Sequence, residues 1–296
     1  MKATRVANEA SVEMTNSHLK TVLITGCSSG FGKRLVQDFL KKGWRVIATM
    51  RQATARADLF SNEVQRYGDL LIIEELDVTS AADRAAIVHK IELLEHSKLD
   101  CLINNAGYAL FGALEDCSEA QLRTQYEVNL LAPVLLTRSL LPFLRESKGS
   151  VINVSSVMSF VGFPMSSAYC SSKAGLTMLS ESLKLELQPL GVRVHSIEPG
   201  GFRTGFVENS QWGEQGVEAY KAQTAGFHQF QAKLNAGPGK DPSPVIARII
   251  SLAGSESGAL RNPVGSDAQI SHLMHRALPD GVRLKVMGAM FKKLFK

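Results

Sequence analysis

Short, almost continuously apolar segments alternate with helical windows from residue 20 onward. Strands that are apolar on both faces are typical of a parallel sheet covered by helices, so this alternation constrains the fold more than any other feature. It predicts a single-domain α/β fold with a doubly wound parallel sheet, since no linker or repeat divides residues 20–272. The predicted strands are 21–25, 45–49, 70–76, 99–103, 150–154 and 192–197, and the helical windows include 33–42, 81–95 and 171–188.

A glycine-rich turn, TGCSSGFG at residues 25–32, joins the first predicted strand to a helix. Glycines let the backbone turn tightly and approach a pyrophosphate, and the start of the helix offers N–H groups to an anion. A tight turn also uses glycine for steric reasons alone, but the position at the first strand–helix junction favours nucleotide binding. We predict cofactor contacts from Gly26, Ser28, Ser29, Gly30, Phe31 and Gly32.

The second predicted strand ends at Thr49, Met50 and Arg51, without a carboxylate. NAD enzymes with this fold commonly place an Asp or Glu there, which binds the ribose 2′-hydroxyl. Arg51 can instead pair with a 2′-phosphate, and Ser29 can add a hydrogen bond. This stretch favours NADP(H) as the cofactor, with an ordinary surface arginine as the alternative.

Tyr169 and Lys173 are four residues apart in a predicted helix, so one turn places the ammonium beside the phenol. A neighbouring cation favours the phenolate and lowers the pKa of a tyrosine from its usual value of about 10. Such a pair could serve in acid–base catalysis. Taken alone, the pair proves little, because a Tyr and a Lys four residues apart are common on a solvated helix face.

Taken together, these features resemble the short-chain dehydrogenase/reductase family over residues 20–272, which implies a Rossmann-like domain. The family's active-site serine stands thirteen residues before the tyrosine, which selects Ser156 over Ser155 and Ser159. The matching catalytic residues are Asn129, Ser156, Tyr169 and Lys173. The matching cofactor residues, beyond the glycine turn, are Asp77, Val78, Asn105, Ala106, Gly107, Tyr169, Lys173, Pro199, Gly200 and Thr204.

The resemblance implies a role for each catalytic residue. Tyr169 would protonate a carbonyl oxygen, or deprotonate an alcohol, while hydride passes to or from nicotinamide. Ser156 would hold the substrate oxygen, and Lys173 would lower the pKa of Tyr169 and bind the nicotinamide ribose. Asn129 would hold a water that links Lys173 to a proton relay. No metal is implied.

The sequence around these motifs is similar to the 17-beta-hydroxysteroid and retinol dehydrogenase branch, which implies a bulky apolar carbonyl or alcohol substrate. Residues 202–240 are rich in aromatic residues and predict a lid, and the apolar stretch 160–165 agrees with an apolar substrate. A surface excursion packed by its own aromatic residues is the alternative to a lid. A catalytically silent NADP(H) sensor or scaffold is the main functional alternative, and a sugar-nucleotide epimerase fits poorly.

The formal net charge of +5 equals the five Lys and Arg residues of the last sixteen positions, which contain no acid. The neutral body gives no support for nucleic-acid binding. Residues 273–296 predict a basic amphipathic helix that docks on the body or a second subunit, or contacts a membrane surface. Residues 1–19 predict a polar arm without a signal peptide.

The four cysteines lack metal-type spacing, and three fall in predicted core strands or functional loops. We therefore expect a reducing, cytoplasmic location. No continuous apolar run reaches the roughly 18 residues of a membrane-spanning helix. The family resemblance implies a homodimer or tetramer.

Overall fold

The structure is a computed structural model that describes residues 19–237 and 239–294. Almost all of the predicted polar arm therefore lies outside the described residues. The last two residues of the predicted tail helix, Phe295 and Lys296, also lie outside them.

Within the described residues, seven parallel strands form the main sheet, and this confirms the predicted fold class. The sheet order is β3-β2-β1-β4-β6-β7-β9. The six predicted strands are present, with ends that differ from the prediction by two residues at most. The strands are β1 (Thr21–Thr25), β2 (Arg45–Met50), β3 (Leu71–Glu75), β4 (Cys101–Asn104), β6 (Ser150–Val154), β7 (Arg193–Pro199) and β9 (Arg261–Val264), and a separate pair joins β5 (Leu110–Phe111) to β8 (Gln211–Trp212).

The seventh strand, β9, is an edge strand that the sequence analysis did not predict. Its four residues, Arg-Asn-Pro-Val, carry no apolar run, and Pro263 lacks a backbone donor. A proline is tolerated in an edge strand because one side of that strand needs no ladder hydrogen bonds. Pairing with β7 places β9 in the sheet.

Helices cover both faces of the sheet, and the direction in which each β1 side chain points shows how. Val22 and Ile24 face a core formed with α1 and α8, while Leu23 faces a second core formed with α3 and α5. The helices are α1 (Gly30–Lys41), α2 (Ser61–Tyr67), α3 (Ala81–Glu92), α4 (Glu119–Tyr126), α5 (Ala132–Glu146), α6 (Ser167–Leu187), α7 (Lys221–Ala236), α8 (Ser243–Gly254), α9 (Ser266–Ala277) and α10 (Asp280–Leu294).

The strand order reverses between β1 and β4, which lie side by side although β2 and β3 come between them in sequence. In open α/β sheets, ligands bind outside the carboxyl ends of the strands at such a reversal. The loops that follow β1, β4, β6 and β7 all leave at this edge, which we call the carboxyl edge. It therefore collects the predicted cofactor and catalytic residues.

The continuous helical stretch 119–146, which includes α4 and α5, is long and apolar enough by length and composition to cross a bilayer. This stretch was not predicted from the sequence, because polar residues interrupt its apolar run. Leu136, Leu140 and Leu144 of this stretch are buried in the core against the sheet. Its apolar character is therefore used in covering one sheet face.

All four cysteines are buried and free. Burial raises the pKa of Cys27 and Cys101 to about 12, so their thiols stay protonated at neutral pH. These residues serve as small apolar side chains in the core.

Candidate active site

The glycine turn that follows β1 has no room for side chains. Gly26 and Gly30 have φ angles of +73° and +56°. A Cβ on Gly32 would lie 2.3 Å from the Gly26 carbonyl oxygen, and one on Gly26 would lie 2.9 Å from the Ala106 Cα. The turn thus exposes backbone at the start of α1, which suits a pyrophosphate.

The loop that follows β4 is tied to this turn by hydrogen bonds. The Asn105 side-chain amide donates to the carbonyl oxygens of Thr25 at 2.8 Å and Gly26 at 3.1 Å. The Thr25 hydroxyl oxygen accepts from the backbone N–H groups of Asn105 and Ala106 at 3.0 and 2.9 Å. Thr25 was missed as a site residue by sequence reasoning, although its position at the end of β1 is a signal for it.

The turn that follows β7 reaches over the glycine turn. A Cβ on Gly30 would lie 2.9 Å from the carbonyl oxygen of Thr204. The Gly200 N–H donates to the Val264 carbonyl oxygen at 2.9 Å. A Cβ on Gly200 would lie 2.3 Å from Asp267 Oδ1. Asp267 accepts from the Gly201 N–H at 2.7 Å and so fixes the turn that begins at Pro199. Sequence reasoning missed Asp267 because it lies 66 residues away from Gly201.

Arg51 and Asp77 lie near each other beyond β2 and β3. Partial burial opposes the ionisation of Asp77. Hydrogen bonds from Thr79 and the nearby Arg51 and Arg84 cations nevertheless hold the pKa of this carboxyl below its usual value. The carbonyl of Val78 accepts from Arg84 at 2.7 Å, which orders the same loop.

A cleft of about 450 Å³ opens between the glycine turn and the segment that follows β2, on the predicted adenosine side of the site. Its lining includes Ser28 and two cationic side chains, Lys33 and Arg56, together with the carboxylate of Asp58. Sequence reasoning missed Lys33 and Arg56. Neither belongs to a recognisable motif, and only folding brings them to one cleft.

Tyr169 and Ser156 come together at the end of β6, where the Ser156 hydroxyl lies close enough to the Tyr169 phenol to act on its pKa. Burial raises the pKa of Tyr169, and the Ser156 hydroxyl opposes the rise. Burial also lowers the pKa of Lys173 to about 8. The Lys173 ammonium donates to the Val154 carbonyl oxygen at 2.8 Å. This contact involves Val154 and not the Tyr169 phenol, and a lowering of the Tyr169 pKa by Lys173 therefore stays a prediction.

Asn129 lies in a π-helical turn, Glu127–Leu131, between α4 and α5. Such turns occur frequently at functional sites. The buried amide accepts from the Tyr108 N–H at 3.2 Å, and donates to the Tyr108 carbonyl at 2.9 Å and to Ser172 Oγ at 3.2 Å. A Cβ on Gly107 would lie 3.0 Å from Asn129 Oδ1 and 3.3 Å from Lys173 Nζ, so these residues converge. The water relay itself stays a prediction.

An aromatic cluster, which we call the aromatic roof, packs around Tyr169. The phenol ring lies 5.7 Å from Phe206, and Phe227 lies 5.4 Å from Phe111 and 5.7 Å from Trp212. Much of the roof comes from the predicted lid segment, 202–240. The roof consists of Phe111, Phe163, Phe206, Trp212, Phe227 and Phe230.

The arrangement can perform acid–base chemistry next to a bound nucleotide. A phenol and a hydroxyl meet at one point, a buried ammonium lies one helical turn away, and apolar rings cover them. A close-packed glycine turn with a cationic cleft beside it shares the same edge.

Known proteins match the chain over most of its length. A family model described as short chain dehydrogenase matches residues 20–215. The mitochondrial D-beta-hydroxybutyrate dehydrogenase of Bos taurus is 37% identical over 260 residues, which cover 81% of this chain and 74% of that protein.

Solved structures agree with this assignment. A short-chain dehydrogenase from Streptomyces avermitilis is 33% identical, with a TM-score of 0.78, and the match covers 93% of this chain and 97% of that one. The NADP active-site complex of Pseudomonas aeruginosa RhlG is 28% identical, with a TM-score of 0.66, and covers 82% of this chain and 93% of that one. The family match and these likenesses, together with the residues gathered at the carboxyl edge, show that this chain belongs to the short-chain dehydrogenase family of oxidoreductases.

Proposed function

We propose that this protein binds NADP(H) and interconverts a carbonyl compound and an alcohol by hydride transfer. The juxtaposition of Ser156 and Tyr169, both buried at the carboxyl edge beneath the aromatic roof, carries this proposal. Bound nicotinamide would supply or accept the hydride.

The chain's own residues would handle the substrate oxygen and its proton. Tyr169 would donate a proton to the carbonyl oxygen and take it back in the reverse direction. Ser156 would hold that oxygen by a second hydrogen bond, which fixes its distance from the phenol. Asn129 holds the loop that carries Gly107 and Tyr108, next to the ammonium of Lys173.

NADP(H), in preference to NAD(H), is supported by the cations at the adenosine end. Arg51 follows β2, and Lys33 and Arg56 line the adjoining cleft with Ser28. Guanidinium and ammonium groups are suitable partners for a 2′-phosphate. The bound NADP of the RhlG complex adds support from a relative.

A bulky apolar substrate, such as a steroid-, retinoid- or fatty-ketone-like molecule, is supported by the roof. The roof consists of five phenylalanine rings and the indole of Trp212. The ring of Phe206 lies 5.7 Å from the ring of the catalytic Tyr169. Apolar walls with few polar groups favour ligands whose surface is mostly hydrocarbon.

NADPH oxidation tests the proposed reaction against the alternative of a silent NADP(H) sensor. We expect wild type to oxidise NADPH with at least one apolar ketone, and Tyr169→Phe to lose activity by about 100-fold or more because it cannot donate the proton. Tyr67→Phe, on α2, should retain activity. If wild type and Tyr169→Phe both bind NADPH and are equally inactive with all ketones, the sensor is favoured instead.

Homo-oligomerisation through the helices beside the active site is proposed from three exposed apolar side chains. Leu131 is 47% exposed next to α5, and Met178 and Leu185 on α6 are 57% and 71% exposed. Burial of such residues would favour association of two copies. Light scattering of wild type and Leu185→Glu would test this, because the added charge should shift the population toward monomer.

We also propose a cytoplasmic protein that can contact a membrane surface peripherally through α10. Lys285 and Lys292 of this helix are exposed and would attract anionic lipid. Sedimentation with anionic and zwitterionic vesicles would test the contact. A C-terminal truncation before residue 280 should abolish binding to the anionic vesicles.

A further inference from the structure

Helix α10 lies against the body, and one of its faces is covered. Arg283, Met287 and Phe291 are spaced four residues apart and are half-buried or buried, with Phe291 only 7% exposed. Lys285, Val286 and Lys292 are exposed. The helix packs on α7 and α9, so Met287 and Phe291 of the apolar face predicted from the sequence have a partner within the chain, whereas Leu284 is 65% exposed.

That partner is the aromatic roof. The ring of Phe291 meets Phe163 edge to face, with 4.5 Å between centroids. Phe163 in turn lies 6.0 Å from Phe227, which packs with Tyr169 in the buried cluster. Phe291 is thus in direct contact with one ring of the roof that surrounds the catalytic tyrosine.

The beginning of α10 is attached elsewhere. Arg283 donates to His275 Nδ1 on α9 and to Asp280 Oδ1, the latter at 2.8 Å. An arginine has no acceptor, so His275 must be neutral at Nδ1. Burial and the Arg283 and Arg261 cations lower the pKa of His275, which favours that form. The N-terminal end of α10 is therefore held on α9, and its later residue Phe291 covers the roof.

We infer that α10 forms the outer wall of the substrate chamber, by which we mean the proposed substrate site beneath the aromatic roof, and that Phe291 determines how large an apolar carbonyl compound this chamber accepts. This inference rests on the proposed function. Phe291 and Phe163 are in van der Waals contact, so a substrate that extends past Phe163 must displace Phe291 or stop short of it. The competing interpretation is that Phe291 only fastens the end of the chain to the body.

A size series of ketones separates the two interpretations. Phe291→Ala should raise the ratio of kcat/KM for a tricyclic ketone to that for cyclohexanone by about 10-fold, since pocket size changes have effects of this order. Leu284→Ala is the matched control, because Leu284 lies on the same helix and is 65% exposed. Phe291→Trp should shift the ratio in the opposite direction. If Phe291→Ala changes the ratio no more than Leu284→Ala does, the inference is wrong.

A binding measurement gives the same answer without turnover. The chain has two tryptophans, Trp212 in the roof and Trp44, which packs on Phe39 in another core. In a Trp44→Phe background, the fluorescence of Trp212 would report titrations with cyclohexanol and a tricyclic alcohol in the presence of NADPH, which cannot accept hydride from an alcohol. Phe291→Ala should tighten binding of the tricyclic alcohol relative to cyclohexanol by about 10-fold, as for the kinetic ratio.

The two measurements distinguish failure of the inference from failure of the proposed function. If no ketone is reduced but Phe291→Ala still shifts the alcohol affinities, the chamber wall stands and the proposed reaction is wrong. If ketones are reduced and neither ratio moves, the reaction stands and the chamber wall is wrong. A thermal melt of Phe291→Ala shows whether the variant is folded, and Phe291→Trp supplies the test if it is not.

Discussion

The carboxyl edge and the aromatic roof contain the two halves of one proposed active site, but they are built differently. At the edge, backbone atoms fill the positions that side chains would need, as at Gly30 and Gly32. In the roof, side-chain rings pack with centroids 5.4 to 6.2 Å apart, and few of them make polar contacts. The edge therefore fixes a cofactor with little tolerance. The roof can be repacked to change the substrate while the chemistry stays the same.

The largest expected effect tests the tight packing of the edge. In Gly32→Ala the new methyl group would lie 2.3 Å from the Gly26 carbonyl oxygen, so the turn must shift. A displacement of about 1 Å can lower a catalytic rate by about 100-fold. We expect a loss of about the same size in NADPH affinity, because the shifted backbone is the part of the turn that faces the pyrophosphate. Calorimetric titration would measure it. Gly254→Ala has no atom within 4 Å of its new methyl group and should bind as wild type does.

A second prediction concerns Glu198, a fully buried carboxyl beside Pro199 at the edge. It accepts from Ser196 Oγ and the Asn262 N–H, both at 2.7 Å, yet burial raises its pKa to about 7 from an ordinary 4.5. The folded state therefore binds a proton more tightly than the unfolded state does. The free energy of unfolding should fall by roughly 3 kcal/mol between about pH 4 and pH 8 from this group alone.

Urea unfolding across that pH range would measure this effect. Glu198→Gln should flatten the decline, because the amide stays neutral at every pH. Glu186→Gln, at an exposed position of α6, should leave the decline as it is in wild type. An unchanged slope in Glu198→Gln would show that other groups produce it.

A third prediction sharpens the cofactor half. Arg51→Ala should weaken NADPH binding by about 10-fold or more, because a hydrogen bond between charged groups is lost. NADH lacks the 2′-phosphate, so its affinity should change little. Fluorescence titration with both nucleotides measures the difference, and exposed Arg138→Ala is the control. Equal losses for both nucleotides would contradict the assigned role of Arg51.

The smallest expected effect belongs to the roof. Phe206→Leu removes a ring that lies 5.7 Å from the Tyr169 ring, and should raise KM for an apolar ketone by about 5-fold. NADPH affinity should stay the same, since the change touches only the substrate side. Steady-state kinetics would give KM for the ketone and for NADPH, with Leu93→Ala, at a 69% exposed position, as the control. A loss of NADPH affinity in Phe206→Leu would mean that the two halves are not independent.

Much of the fold and the cofactor half could be predicted because local sequence carries them. The run 21–25 is apolar enough to be a buried strand wherever it lies, and Gly26, Gly30 and Gly32 mark a turn by their spacing. The strand Arg261–Val264 could not be predicted, since its polar residues and proline acquire strand geometry only by pairing with β7. Asp267 and Arg56 were missed for a related reason, because they reach the edge from distant parts of the chain.

By itself, the sequence determined the α/β class, the family and the residues predicted to carry the chemistry, because strand periodicity, glycine spacing and motif order are local properties. Only the tertiary structure decided what covers the apolar face of the tail. An amphipathic helix specifies that one face must leave water, without specifying whether a protein body, a second subunit or lipid receives it. The contact of Phe291 with Phe163 shows that the body covers part of that face in this chain, because shape complementarity between distant segments exists only after folding.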